Sequence, residues 1–181
     1  MKSPYATPCS KTHYPAARTS GTRRSTDVRL IVLHSTEGGT ADSVARYFAS
    51  SSAAGSAHLV IDDNECERCL PNSAVPWAAP GANTNGFHVE MCGYAKWGKL
   101  TWLRHREMLK RTAYKTALHA AKFKIPLVSL KAADLRAMRA GITTHVEVSK
   151  AWGRSDHWDP GPGFPMWLFM KYVRDYAKEL L

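Results

Sequence analysis

The strongest constraint on the fold of this chain is a short apolar run, Val28-Arg29-Leu30-Ile31-Val32-Leu33-His34, rich in β-branched residues. Such a run reads as a buried strand. It ends at Ser35-Thr36-Glu37-Gly38-Gly39, after which Thr40 can cap a helix running to about Ala49, with Val44, Tyr47 and Phe48 on one face. Residues 56–61 (SAHLVI) read as a second strand, Asp63-Asn64 as a turn, and residues 65–70 as the returning hairpin arm. A Pro/Gly/Asn-rich loop over 71–86 holds Trp77, and residues 87–92 form the next strand, closed by Gly93.

The second half is mostly helical. The longest helix is expected from Thr101 to about Phe123, with Leu103, Met108, Leu109, Ala113 and Ala117 as its apolar positions. A shorter helix covers about 131–139 and stops at Gly141, residues 142–148 are extended or loop, and 164–181 form an amphipathic closing helix presenting Trp167, Leu168, Tyr172 and Tyr176. Strands interleaved with helices give an α/β layered domain. Residues 1–26, rich in Pro, Ser, Thr and Arg, read as an irregular N-terminal arm, and 27–181 as one domain.

A chain of 181 residues with 44% hydrophobic and 22% charged residues can bury a full core, which excludes a disordered protein. Its net charge of +10 favours polyanionic partners: nucleic acid, acidic membrane or anionic cell-wall polymer. No aromatic–basic RNA motif or base-reading helix accompanies that charge, so specific nucleic-acid binding is not expected. Neither a signal-peptide-like apolar run nor a membrane-length one is present, so synthesis in the cytoplasm is expected. Of four cysteines, Cys66 and Cys69 have half-site spacing without a second pair, and Cys9, Cys66, Cys69 and Cys92 read as reduced structural thiols.

Three residues with metal-ligating side chains stand where an element gives way to loop: His34, His145 after Gly141-Ile142-Thr143-Thr144, and Asp159 opening Asp159-Pro160-Gly161-Pro162-Gly163-Phe164. Two neutral imidazoles and a carboxylate suit zinc and leave a fourth position for water; such a metal acidifies water and polarises a carbonyl, as amide hydrolysis requires. Taken singly, such a histidine is more often a hydrogen-bonded structural residue, and Asp-Pro-Gly an ordinary turn.

The segments VRLIVLHSTEGG (28–39), SAHLVI (56–61), NTNGFHVE (83–90) and GITTHVEVSKAWGRSDHWDPGPGF (141–164) come in an order that resembles the type-2 N-acetylmuramoyl-L-alanine amidases, which include phage endolysin domains and resemble peptidoglycan recognition proteins. The resemblance covers about 28–176. It implies a single domain with a central mixed β-sheet flanked by helices, Zn2+ held by His34, His145 and Asp159, and hydrolysis of the amide between N-acetylmuramic acid and L-alanine. Glu90 matches an acidic residue used near the zinc water and is the candidate base, with Glu37 as the alternative. His157 stands where many relatives carry a Lys that steadies the oxyanion. Glu37, His58, Trp77 and Asn83 match positions near the substrate groove. For Glu37 a solvated loop carboxylate, for His58 a packed strand histidine, and for Trp77 core or lid packing remain open alternatives. His13, His105 and His119 are given no role. The resemblance and the charge together suggest a phage endolysin that acts on peptidoglycan, aided by anionic wall polymers, once released from the host cytoplasm. A recycling amidase, a non-catalytic peptidoglycan-binding module and an RNA-polymerase-binding protein are the other readings.

Overall fold

A computed structural model of the chain describes residues 3–10 and 15–180; His13 falls outside them. The strands in chain order are β1 (Thr19–Thr22), β2 (Leu30–Ser35), β3 (Leu59–Ile61), β4 (Cys66–Arg68), β5 (Ala74–Pro76), β6 (Gly86–Met91) and β7 (Gly141–Thr144). The α-helices are α1 (Ala41–Ala49), α2 (Lys99–Arg104), α3 (Arg106–Phe123), α4 (Ala132–Arg136), α5 (His145–Trp152) and α6 (Met166–Glu179). Five strands form a mixed sheet in the order β4-β3-β6-β2-β7, with β4 antiparallel to β3 and the other neighbours parallel. The expected mixed α/β architecture is therefore present. Among the described residues, no helix is long and apolar enough to cross a membrane.

The first apolar run is the centre of this sheet because both of its faces are covered. Successive side chains of a strand point to opposite faces. Ile31 and Leu33 thus join Phe87, Val89 and Ile142 in the larger core, against Met108, Leu109 and Ala113 of α3 and Phe169 and Val173 of α6. Leu30 and Val32 face a smaller core with Leu130, Leu135 and Val148. Each fully buried Leu or Ile side chain contributes about 2 kcal/mol relative to an exposed one.

Several local expectations are corrected. The long helix is two, divided at His105, because Asp63 reaches in from the hairpin turn: its Oδ2 contacts His105 Nδ1 at 2.5 Å and its Oδ1 accepts the Met108 N–H at 2.9 Å. That carboxylate serves a free N–H in the first turn of α3, the role of a cap supplied from a distance. Residues 142–148 are not loop; β7 ends at Thr144 and α5 begins at His145. In α1 the buried face is Ala41, Ala45 and Phe48, while Val44 and Tyr47 look into a cleft. Helix α6 buries Phe169, Met170 and Val173, and Trp167 points outward beneath Lys99.

The segment read as an irregular arm has more structure than its composition suggests. Strand β1 pairs antiparallel with β5, inside the loop expected over 71–86. The Ser10 N–H donates to Cys66 O and the Ala16 N–H to Cys69 O, so the arm runs along the outer edge of β4. Tyr5 donates to Glu107 at 2.6 Å, and the Lys115 ammonium, which burial pushes down to about 8, donates to Thr7 O at 2.6 Å. Cys9 and Cys66 form a disulfide, contrary to the expectation of four reduced thiols; Cys69 and Cys92 are free and buried. The partner of Cys66 is thus not its near neighbour Cys69 but Cys9, 57 residues upstream.

Two stability measurements follow from these contacts. Closing a loop with a sequence separation of 57 stabilises a folded chain by about 4 kcal/mol in the chain-entropy account. A Cys9→Ser/Cys66→Ser variant should therefore unfold at markedly lower urea than the oxidised parent, and equal midpoints would show that the cross-link is absent or ineffective. The second concerns His119, packed between Phe87 and Phe123, with its Nδ1–H donating to Lys115 O at 2.8 Å. Burial first, then the neighbouring Arg68 cation, depress its pKa to about 4. The unfolded chain takes up this proton below the ordinary value of about 6.5 while the folded chain does not, so stability falls as pH drops from there to about 4, by up to about 3 kcal/mol. His119→Phe should flatten that part of a stability-versus-pH curve; an unchanged slope would contradict the assignment.

Candidate metal centre and cleft

The site begins with strand register. Parallel pairing sets His34 of β2 beside Glu90 of β6, and pairs Leu33 with Thr144 of β7, so that His145 follows directly on the other side of His34. Paired residues on neighbouring strands share a face. Glu90, His34 and His145 therefore stand in one row at the carboxyl ends of three parallel strands, the usual place for a site in such a sheet. This is the face of the smaller core, which opens here into a cleft of about 760 Å³.

Asp159 completes the row from a loop. Its Oδ2 accepts the Ser35 N–H at 3.2 Å, and its carbonyl accepts the Val146 N–H at 3.0 Å, tying the loop to β2 and α5. The bond between Asp159 and Pro160 is cis. Gly161, at φ +83°, lets the loop lie against residue 95: a Cβ there would sit 1.8 Å from Ala95 O, so no other residue fits.

The three side chains converge. His34 Nδ1 lies 3.1 Å from His145 Nδ1 and 3.4 Å from Asp159 Oδ2, and His145 Nδ1 lies 3.1 Å from Asp159 Oδ1. All three residues are buried, and among the described residues they form the cluster able to hold a metal ion. Ligand atoms about 2.0–2.1 Å from a tetrahedral zinc stand about 3.3 Å apart, close to these separations. Glu90 Oε1 is farther out, 4.0 Å from His34 Nδ1, and its Oε2 is buried without any hydrogen-bond partner.

The electrostatics favour a cation at this point. Burial pushes the Glu90 carboxyl up to about 7, against the pull of His34 and with the Asp159 and Glu37 charges adding to the rise. Burial opposes ionisation of Asp159 too, but hydrogen bonds from His145 and His34 outweigh it and hold that carboxyl well below its ordinary range. His34 shows the reverse balance: burial disfavours its protonated form, yet the Glu90 and Asp159 carboxylates raise its pKa. His145, for which burial prevails, falls to about 4. Two acidic groups thus draw positive charge to a point where two imidazole nitrogens already meet. A dication fits the donor set and would replace that proton.

The other candidate residues divide. His157, largely exposed, lies with Nδ1 3.4 Å from Asp159 Oδ1 and its ring stacked on His145 at 4.4 Å. Glu37, at φ +56°, accepts from Ser35 Oγ and from the Ala95 N–H, at 2.9 and 2.8 Å, so it ties two cleft loops together. Trp77 lines the cleft, half-exposed, with its indole N–H donating to Ser20 Oγ at 2.6 Å. Asn83 does not reach the cleft lining; its Oδ1 accepts the Ala78 and Ala79 N–H groups and shapes the loop that carries Trp77. His58 is a core residue, correcting the expectation that it lines the groove. It is fully buried, stacked on Phe87, with Nδ1 accepting the His88 N–H, and burial followed by the Arg23 charge keeps its pKa well below 6.5.

Sequence reasoning missed Tyr47 and Trp158 in the cleft lining, and His88, whose Nδ1 lies 3.0 Å from His34 Nε2. Strand parity was the available signal for His88, which is two residues before Glu90 and so on the same face of β6.

Comparison with solved structures gives the fold. The Staphylococcus aureus hydrolase AmiA, solved in complex with its ligand, superposes with a TM-score of 0.72 at 17% identity, over 94% of this chain and 82% of that one. A mutant endolysin from Bacillus subtilis gives 0.62 at 18% identity, over 87% and 92%. The N-acetylmuramoyl-L-alanine amidase LysC from Clostridium intestinale gives 0.58 at 15% identity, over 87% and 93%. Comparison with curated protein sequences returns no match. A sequence model of the N-acetylmuramoyl-L-alanine amidases matches residues 24–162, which include β2, β6, β7 and all four residues of the buried row and its loop, and the chain accordingly belongs to that family of enzymes.

Proposed function

We propose that the chain is a zinc-dependent amidase that hydrolyses the bond between N-acetylmuramic acid and the L-alanine of the peptidoglycan stem peptide, acting as a phage endolysin on the host wall. The observation that carries the zinc assignment is the convergence of His34 Nδ1 and His145 Nδ1, 3.1 Å apart, on the Asp159 carboxylate, whose Oδ2 and Oδ1 lie 3.4 and 3.1 Å from them respectively. Zinc held by these three residues supplies Lewis acidity, acidifying water and polarising the scissile carbonyl. The net charge of +10 suits a polyanionic wall. The Cys9–Cys66 disulfide suits an oxidising exterior.

In this reading Glu90 takes the proton of the attacking water and returns it to the leaving amine. A group held near 7 and lacking a partner for one oxygen is matched to both transfers. His157, at the rim beside Asp159, donates a hydrogen bond to the oxyanion where many relatives use Lys. Trp77, Tyr47 and Trp158 form aromatic cleft walls against which sugar and peptide can lie.

The decisive experiment combines metal content with product chemistry. Purified protein should carry one zinc per chain and release a new L-alanine amino terminus from wall without new reducing sugar; reducing-sugar release instead would overturn the reaction. His34→Ala and Asp159→Ala should lose both zinc and turnover, and full activity in either would refute the ligand set. Glu90→Gln should retain zinc and lower kcat by about 10²- to 10⁴-fold. His157→Ala should lower kcat by about 10²- to 10³-fold at unchanged zinc content. For either variant, wild-type turnover would remove that residue from the mechanism.

A further inference from the structure

The inner end of the buried row holds a histidine that the reaction does not use. His88 is fully buried on β6, with its ring centroid 5.2 Å from that of His34. Its Nε2 lies 3.2 Å from Ala82 O, and its Nδ1 lies 3.0 Å from His34 Nε2. A carbonyl oxygen can only accept, so the His88 hydrogen must be on Nε2. His88 is fully buried, and a buried imidazole is held in its neutral form. A neutral imidazole with its hydrogen on Nε2 offers a bare Nδ1, which accepts. His34 must then donate from Nε2, so that Nδ1, the atom that faces His145 and Asp159, is the nitrogen left to bind a metal in place of a proton.

We infer that His88 is a positioning residue that fixes the tautomer and ring orientation of His34, so that Nδ1 is presented to the metal. The inference deepens the zinc reading above and rests on it. The chain of donors has firm supports at its far end. The Ala82 N–H donates to Ala79 O, and the Arg23 guanidinium, buried beneath the loop, donates from Nη1 to the carbonyls of Asn83, Thr84 and Gly86 at 2.8 Å each. The His88 backbone N–H is held by His58 Nδ1 at 3.0 Å. Gly86 leaves the space the arrangement needs, since a Cβ there would stand 2.6 Å from both Ala82 O and His88 Nε2. Among the described residues the second imidazole has no comparable support: His145 Nε2 meets Ser155 Oγ, at 3.4 Å. His34 is therefore the rigid ligand and His145 the adjustable one.

The test is zinc affinity by chelator competition on the full chain, with two substitutions of opposite design. In His88→Phe the ring volume stays and the acceptor goes, and the zinc dissociation constant should rise by about 10- to 100-fold. In His88→Asn the side-chain oxygen can occupy the position of Nδ1 and accept from His34, and affinity should stay within about threefold of wild type. Long-range proton–nitrogen NMR on the zinc-loaded, unmutated protein reads the same inference without any substitution, and His34 and His88 should both carry hydrogen on Nε2. Equal zinc affinity of wild type and His88→Phe, or a His34 hydrogen on Nδ1, overturns the inference while leaving the metal site standing. A wild-type chain that takes up no zinc overturns the metal reading itself, and this inference with it.

Discussion

The register between three parallel strands is the constraint on which the rest of the site depends. Because β2 pairs in step with β6 and β7, one residue at the carboxyl end of each brings an imidazole or a carboxyl group to the same line. Side chains alternate along a strand, so a slip of one residue would turn His34 into the apolar core and Leu33 into the cleft. Register is held in turn by burial on both faces: Ile31 and Leu33 are locked against α3 and α6, and Leu30 and Val32 against α4 and α5. The chemistry is precise because the hydrophobic pattern allows one alignment.

Burial also gives that line its electrical character. Two carboxylates and two imidazoles share a space from which water is largely excluded, and each shifts the others. Separated, Asp159 and Glu90 would be ordinary carboxylates. Together, one is firmly ionised by its imidazole partners and the other titrates near neutrality, which is how a single environment sets two carboxyl groups apart.

Much of this was legible in the sequence because it depends on local pattern. The run ending in His34, the hairpin at Asp63-Asn64 and the cap at Thr40 are governed by neighbours in the chain, and they appear where expected. The break at His105 was not legible, because Asp63, far away in sequence, creates it. Cys9 pairing with Cys66 was missed for the same reason. In the site, the order of motifs rather than their spacing singles out His34, His145 and Asp159, which the fold brings together. His58 was assigned to the groove because sequence cannot tell a histidine at a cleft wall from one stacked on Phe87, whereas His88 was overlooked although its parity with Glu90 placed it on the same face.

The arm has a consequence for how the molecule keeps apart from its own kind. A sheet's outermost strands present unpaired backbone groups that can recruit a strand from another chain. Here both margins are sealed from within: Ser10 and Ala16 bond along the outside of β4, to Cys66 and Cys69, and residues 128–130 exchange bonds with Ile142 on the outside of β7. The seal on β4 lies wholly upstream of the part recognised as the family's own, which begins at residue 24. A chain begun at that residue would expose a bare strand margin, exchanging a covered edge for one able to polymerise edge to edge.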